Sequence, residues 1–236
     1  TISEDMILST LNIQVTSYSA PYATDWNGDG LFDLIIGEKV GTDGEGMIRV
    51  YLNTGAEAIP VFDAFSYVQS NGTDLAVAAT GCLGASPNTV DWNNDGDQDL
   101  LIGLADGTVM IYLNNGDGAF GEGANIQAGP SGSKTDIDVG DRATVEVADW
   151  NNDSLFDLVL GALDGKVRVY LNQGTMGSPD FASELLVKEG ASDLVVPTAN
   201  SFARSSVVMA DLNNDGLEDL LSGNSDGQLI LYVNKG

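Results

Sequence analysis

The chain has 236 residues, with 35 acidic against 9 basic side chains, a formal net charge of -26, one cysteine and no histidine. These counts exclude a histidine-ligated metal site, a Ser-His-Asp triad and a framework of disulfide bonds within the chain. So much negative charge repels nucleic acid, and no apolar run approaches the roughly 18 residues that span a bilayer. We therefore expect neither nucleic-acid binding nor membrane insertion.

One acidic segment occurs four times along the chain. The copies are DWNGDGLFDLIIG from Asp25, DWNNDGDQDLLIG from Asp91, DWNNDSLFDLVLG from Asp149 and DLNNDGLEDLLSG from Asp211. Each is followed by a turn and an apolar segment that ends in Tyr-x-Asn, namely IRVYLNTG, VMIYLNNG, VRVYLNQG and LILYVNKG. Repetition at a spacing of about sixty residues is typical of solenoids and propellers.

The local pattern within each copy predicts strands. Short runs of Val, Ile, Leu and Tyr alternate with turn residues, and no apolar stripe of helical period appears. In the first copy we predict strands at residues 20–24, 34–36, 47–52 and 62–68. Such a meander, repeated four times, predicts an all-β fold: a β-propeller of four four-stranded antiparallel blades in a single domain, residues 1–236.

Closure of the ring is predicted from a second, weaker sequence repeat of four residues. Asp74-Leu-Ala-Val, Asp136-Ile-Asp-Val and Asp193-Leu-Val-Val follow the first three copies, and Asn12-Ile-Gln-Val resembles them. The N-terminal strand would then complete the last blade and leave no open edge. The predicted blades are residues 18–74, 80–136, 140–193, and 200–236 completed by 1–15. A longer array with more blades is the alternative.

The acidic loops have the residue pattern of a site for a hard divalent cation. Asp or Asn occupies loop positions 1, 3, 5 and 9, usually with Gly at position 6, and position 7 offers a backbone carbonyl. Calcium takes six to eight oxygen ligands of these kinds. The predicted ligands of four ions, one per blade, are Asp25, Asn27, Asp29, Leu31, Asp33; Asp91, Asn93, Asp95, Asp97, Asp99; Asp149, Asn151, Asp153, Leu155, Asp157; and Asp211, Asn213, Asp215, Leu217, Asp219.

The third loop departs from the others. Ser154 replaces the glycine present at Gly30, Gly96 and Gly216. If this position requires a positive φ, serine is strained there, and we expect the third site to be the weakest. A single such motif is equally consistent with a solvated turn, but four copies in phase favour calcium. An affinity of about 10⁻⁴ to 10⁻³ M is typical of extracellular calcium modules.

The loop DWNGDGLFDLIIG, followed by IRVYLNTG, resembles the VCBS/FG-GAP repeat, a family of calcium-binding β-propeller blades that includes the integrin α-chain head. This resemblance implies a Ca²⁺ ion at each acidic loop, between the first two strands of a blade. Propellers of the family commonly have seven blades, whereas this chain has four copies. Members include adhesion receptors, lectins and domains attached to polysaccharide lyases, so the resemblance implies no single function.

Aromatic and basic residues offer further candidate sites. Trp26, Trp92 and Trp150 occupy loop position 2, where they either stack on sugars or pack against the neighbouring blade; replacement by Leu212 in the last copy favours packing. The tyrosine of the Tyr-x-Asn segment recurs in every copy, and we interpret these four residues as structural: Tyr51, Tyr112, Tyr170 and Tyr232. Arg142 and Arg204 either bind an anionic sugar or a partner carboxylate, or pair with the surplus acid. We assign no role to Cys82.

Taken together, the sequence favours a non-catalytic, calcium-stabilised propeller that binds a glycan or an extracellular protein. Calcium sites of this affinity imply a secreted, cell-surface or periplasmic location, since they would stay largely empty in the cytosol. The isolated domain is expected to be a monomer. A domain of a polysaccharide lyase or hydrolase is the main alternative, because paired carboxylates perform glycosidic acid-base chemistry. A structural spacer within a larger surface protein is the third.

Overall fold

A computed structural model describes residues 13–41, 44–56, 59–79, 84–116, 118–199 and 203–235. Within these ranges the chain forms strands and turns and no helix. Accordingly, no described segment is a helix of the length and hydropathy that crossing a bilayer requires. Cys82 lies outside the described residues.

Four small antiparallel sheets follow one another along the chain. The first contains β1 (Ala20–Thr24), β2 (Asp33–Val40), β3 (Glu45–Tyr51) and β4 (Ser66–Tyr67); the hairpin β5 (Gln69–Ser70) and β6 (Thr73–Asp74) leads to β7 (Ala76–Ala78), which returns to β3. The second contains β8 (Ser86–Val90), β9 (Asp99–Gly103), β10 (Val109–Tyr112) and β11 (Ala124–Asn125), followed by the hairpin β12 (Gln127–Ala128) and β13 (Thr135–Asp136).

The third and fourth sheets repeat this order. The third contains β14 (Thr144–Ala148), β15 (Asp157–Gly161), β16 (Val167–Tyr170) and β17 (Leu185–Leu186), followed by the hairpin β18 (Lys188–Glu189) and β19 (Ser192–Asp193). The fourth contains β20 (Ser206–Ala210), β21 (Asp219–Gly223) and β22 (Leu229–Tyr232). The sheets are arranged as a four-blade β-propeller, so the predicted all-β propeller fold is confirmed.

The strand expected to complete the fourth blade falls mainly on residues 1–12, which lie outside the described residues. Residues 13–15 are not in a strand. The carbonyl of Gln14 instead accepts a hydrogen bond of 3.1 Å from the Arg49 guanidinium in the first sheet. Arg49 Nε also donates to the fully buried Glu38 at 2.6 Å. The segment before β1 therefore contacts the first blade at Arg49, which forms a buried ion pair within that blade.

The strand register places every acidic loop at the same end of its sheet. Thr24 pairs with Asp33 and Val90 with Asp99, so each loop leaves the first strand and returns at the aspartate of position 9. The same pairing joins Ala148 to Asp157 and Ala210 to Asp219. Because all four sheets share this register, the four loops are equivalent connections between a first and a second strand.

Apolar side chains between neighbouring sheets form the core. Ile48 of the first sheet belongs to one buried cluster with Leu100 and Phe120 of the second, and two similar clusters join the second sheet to the third and the third to the fourth. Burial of this apolar surface is the main force that holds the blades together. In the part of the chain that the structure describes, no sheet covers the far side of the fourth blade, where Leu229 is 75% exposed.

The glycine that ends each of the first three acidic copies allows the next blade to approach. A Cβ atom on Gly103 would lie 2.4 Å from the carbonyl oxygen of Ala143, which precedes β14, and one on Gly161 would lie 2.5 Å from the oxygen of Ser205. The second and third blades are joined at this point by a hydrogen bond of 2.9 Å from Ala143 N–H to the Leu104 carbonyl. Any side chain would force neighbouring blades apart, which explains why the repeat has glycine at this position.

Candidate metal-binding loops and central cavity

Each acidic loop is folded around its own aspartate and asparagine side chains. In the second loop, Asp95 N–H donates to Asp91 Oδ1 and to Asn93 Oδ1, both at 3.0 Å. Gly96 N–H donates to Asp91 Oδ2 at 3.0 Å, and Asn93 Nδ2 donates to Asp95 Oδ2 at 2.8 Å. Side chains 1, 3 and 5 therefore converge on one side of the loop, because consecutive backbone N–H groups turn toward them.

The other three loops repeat this geometry. The N–H of position 5 donates to position 1 at 3.0 to 3.1 Å in the loops that begin at Asp25, Asp149 and Asp211. The N–H of position 6 donates to the second oxygen of the same carboxylate at 2.9 Å in all three. The convergence of the three predicted ligand side chains is thus a property of the repeat.

The aspartate of position 9 has a different environment from the other three. Asp33, Asp99, Asp157 and Asp219 are fully buried. In the second loop, Asp99 Oδ2 accepts the Trp92 N–H at 2.8 Å and Oδ1 accepts the Asn114 N–H at 2.7 Å. This carboxylate therefore ties the acidic loop to the end of the third strand. The sequence identifies Tyr-x-Asn only as a repeated segment, and it does not reveal that the backbone N–H of this asparagine binds the buried aspartate.

Burial raises the pKa of two of these carboxyls. For Asp99 the pKa is raised by burial and by the charge of Asp95, against the lowering effect of the bonds from Asn114 and Trp92. For Asp157 the pKa is likewise raised by burial, and further by the charges of Asp153 and Asp149. The carboxylates of one loop therefore repel one another at close range.

The donor set matches a hard cation in chemistry. Every side chain at positions 1, 3, 5 and 9 offers a carboxylate or amide oxygen. Oxygen ligands suit calcium, whereas soft metals are bound by thiolate ligands, which these loops lack. Within the described ranges, no three His, Cys, Asp or Glu side chains are grouped so as to hold an ion, and the carboxylates accept backbone N–H bonds instead. The predicted ligands thus share one side of each loop, and their coordination of an ion stays a prediction.

Ser154 has a positive φ, the backbone conformation that would make serine strained at loop position 6. Its φ is 69°, against 88° at Gly30, 96° at Gly96 and 86° at Gly216. The left-handed conformation at position 6 is therefore confirmed in all four loops. A serine there costs about 1 kcal/mol relative to an unstrained backbone, whereas the order of metal affinities stays a prediction.

The tryptophans of position 2 pack between blades. The Trp26 ring lies 5.6 Å from Phe120 of the next blade, and the Trp92 ring lies 5.4 Å from Phe156 and 5.6 Å from Phe181. Trp150 packs against the cluster between the third and fourth blades. The packing interpretation is confirmed, and the repeated tyrosines Tyr51, Tyr112 and Tyr170 are buried as structural residues.

A cavity of about 280 Å³ lies where the first strands of all four blades meet. Its lining includes Tyr22, Thr144, Glu146, Arg204 and Ser206. The pKa of Glu146 is raised to about 7, mainly by burial and also by the charge of Glu218, against the lowering effect of hydrogen bonds from Met209 N–H and the Asn88 side chain. The cavity therefore combines a cationic group with a carboxyl that titrates near neutral pH.

The two candidate arginines differ from the other two in the chain. Arg49 and Arg168 form ion pairs with Glu38, Asp164 and Glu184. Arg142 and Arg204 make no ion pair or side-chain hydrogen bond within the described part of the chain. Pairing with surplus acid, one of the two interpretations from the sequence, is therefore not observed.

The blades pack side by side and each has an equivalent acidic loop after its first strand, which defines a propeller built from one repeated unit. Comparison with known families agrees: the FG-GAP-like repeat model matches residues 91–141 and 149–222. The chain belongs to the FG-GAP-like repeat family.

Individual relatives cover parts of the chain. Integrin alpha-4 of Xenopus laevis is 36% identical over 40% of this chain and 9% of its own length, and integrin alpha-3 of Cricetulus griseus is 26% identical over 63% of this chain and 15% of its own length. A solved chain of the Photorhabdus luminescens Tc holotoxin pore covers 89% of this chain and 8% of its own, with 20% identity and a TM-score of 0.48. The chain thus spans a small fraction of each relative.

Proposed function

We propose that this chain is a calcium-stabilised, non-catalytic propeller that binds a glycan or protein outside the cytosol. The observation that best supports the proposal is the convergence of side chains 1, 3 and 5 in all four acidic loops. Membership of the FG-GAP-like repeat family and the likeness to integrin α chains support a role in binding. The secreted, cell-surface or periplasmic location follows from the calcium requirement.

In the proposed sites, the side chains of positions 1, 3 and 5, the carbonyl of position 7 and the carboxylate of position 9 hold the ion. A bound calcium ion supplies positive charge that offsets the repulsion among the loop carboxylates. The buried aspartate of position 9 acts in two ways at once, because its oxygens also fix the loop to the third strand. Each loop therefore stabilises one blade, in a chain that has a single cysteine and no internal disulfide.

Calcium dependence of stability tests the first half of the proposal. We expect the melting temperature to rise with calcium over the millimolar range and to fall by many degrees in excess chelator, because an ion that binds only the folded state stabilises it by mass action. Magnesium at equal ionic strength is the control for screening. A melting temperature that does not respond to calcium contradicts the proposed sites.

Binding without turnover tests the second half. The protein is applied to a panel of glycans and extracellular matrix proteins in calcium-containing buffer, and the same acidic polysaccharides are incubated with it and assayed for released unsaturated or reducing ends. We expect retention of a ligand and no release. Release above a heat-denatured control would instead support the polysaccharide-active alternative.

A further inference from the structure

Arg142 and Arg204 occupy the same position in consecutive repeats, seven residues before the first aspartate of each loop. Each is fastened to the preceding blade, since Arg142 N–H donates to the Ala105 carbonyl and Arg204 N–H to the Leu163 carbonyl, both at 3.0 Å. Their side chains nevertheless have no acidic partner in the described ranges, although the chain contains 35 acidic residues. Two guanidinium groups are thus held at the entry to neighbouring first strands without an ion-pair partner among the described residues.

Both arginines have a strained backbone. Their φ angles are 67° for Arg142 and 43° for Arg204, in the left-handed region that non-glycine residues rarely adopt. Nothing in the fold requires arginine here, because the equivalent residues of the first two blades are Tyr18, which has a left-handed φ of 51°, and Gly84. Strained residues of this kind concentrate at binding sites, where the surrounding structure fixes them in place.

Arg204 lines the central cavity, as does Glu146, and Arg142 directly precedes Ala143, another lining residue. Burial lowers the pKa of the Arg204 guanidinium, and the charge of Arg142 lowers it further. The two cations therefore repel each other in a partly desolvated place. An anion bound near both groups would offset this repulsion and accept hydrogen bonds from the guanidinium donors.

We propose that the cavity binds the carboxylate of a single hexuronic acid residue, with Arg142 and Arg204 as the groups that recognise it. The inference rests on the proposed function as a binding module and names the ligand class of that module. Arginine suits this role because its planar guanidinium donates two parallel hydrogen bonds to a carboxylate.

The rest of the lining favours a sugar over an acidic peptide side chain. Ser19, Ser86, Thr144 and Ser206 contribute hydroxyl-bearing side chains, and Tyr18 and Tyr22 contribute aromatic rings. Hydroxyl groups and aromatic faces are complementary to the hydroxyls and the C–H face of a pyranose ring. Four first strands surround the cavity, and its volume of about 280 Å³ is suited to one ring.

The net charge limits the length of the ligand. At -26 the protein repels a polyanion at long range. A long polyuronate would therefore bind less well per residue than a monosaccharide or a chain with one terminal uronate. This distinguishes the proposed site from a general cation-bridged polysaccharide surface.

The experiment is isothermal titration calorimetry in calcium-containing buffer with sodium D-glucuronate, sodium D-galacturonate, the neutral sugars D-glucose and D-galactose, and N-acetyl-glutamate amide. We expect at least one uronate to bind, the neutral sugars to bind at least about tenfold more weakly, and the acidic amino-acid derivative to resemble the neutral sugars. Equal binding of the amino-acid derivative and the uronates would overturn the assignment to a sugar.

Paired variants separate recognition from net charge. Arg142→Ala/Arg204→Ala is expected to weaken uronate binding about 10- to 100-fold, and Arg142→Lys/Arg204→Lys to recover only part of it, because lysine lacks the bidentate fork. The control Lys188→Ala/Lys235→Ala removes the same two charges from exposed positions. The inference is overturned if Arg142→Ala/Arg204→Ala and the control Lys188→Ala/Lys235→Ala bind uronate with equal affinity. An unchanged melting temperature shows that each variant is folded.

Failure of this inference is distinguishable from failure of the proposed function. If the panel identifies a neutral glycan or a protein that the double arginine variant binds as well as wild type, the uronate site is wrong and the binding module stands. If uronate binds but the chelator leaves stability unchanged, the calcium sites are wrong and the uronate site stands.

Discussion

Asn114 N–H donates to Asp99 Oδ1 at 2.7 Å, and the same bond joins Asn53 to Asp33, Asn172 to Asp157 and Asn234 to Asp219 at 2.7 to 2.9 Å. It links the start of the second strand to the end of the third in every blade. Asn114 in turn uses its side-chain oxygen to accept the N–H groups of Gly116 and Gly118. Each acidic loop is therefore continuous with the turn that leaves the third strand.

Replacement of this buried carboxylate is expected to destabilise a blade. Asp99→Asn places an amide N–H against either the Trp92 or the Asn114 N–H, and we expect a loss of about 2 to 3 kcal/mol in the free energy of unfolding. Urea denaturation measures it. The matched control is Asp97→Asn in the same loop, whose side chain is not fully buried; equal losses in the two variants would contradict the bridging role.

Relief of backbone strain is expected to stabilise the third loop. Ser154 has a φ of 69°, so Ser154→Gly should raise the free energy of unfolding by about 1 kcal/mol and make the third loop resemble the others. Thermal denaturation with and without calcium measures both effects. Ser183→Gly is the control, because Ser183 is not among the left-handed residues and glycine there is expected to destabilise.

Stability is expected to depend on the protonation of Glu146. Burial raises its pKa from 4.5 to about 7 in the folded state, so the folded protein binds more protons than the unfolded chain between these values. Stability therefore falls as pH rises through this window, by at most about 3 kcal/mol.

Glu146→Gln removes this titration and is expected to stabilise the protein relative to wild type at pH 8 more than at pH 5. The difference between variant and wild type is measured by urea denaturation at both values. The exposed Glu122→Gln is the control and should show no such pH-dependent difference. The same difference in both variants would remove the basis for assigning the effect to Glu146.

Interblade packing is expected to depend on Trp92. Its ring contacts Phe156 and Phe181 of the next blade, so Trp92→Ala should cost about 3 to 5 kcal/mol and Trp92→Leu distinctly less. Leu212 occupies the same loop position in the fourth blade and is 49% exposed, so Leu212→Ala should change stability by no more than about 0.5 kcal/mol. Similar costs at the two positions would refute the packing role.

Much of the blade was predictable because its signals are local. The strand at residues 20–24 was predicted with its observed bounds, since turn residues follow it directly in the sequence. The left-handed position 6 was predictable from glycine in three copies and strained serine in the fourth. The fourth strand was predicted at residues 62–68 but is only Ser66–Tyr67, and the remaining length of β3 pairs instead with β7, a strand further along the chain.

The sequence by itself determined the repeat, the sheet type and the oxygen-rich composition of the loops, because turn chemistry and alternation act between residues close in the chain. Only the tertiary structure decided that Asp99 bonds to the end of the third strand, that Trp92 packs on the next blade, and that Arg142 and Arg204 have no ion-pair partner among the described residues. Those relationships join residues far apart in the chain, and they depend on how sheets pack around an axis, which no local pattern specifies.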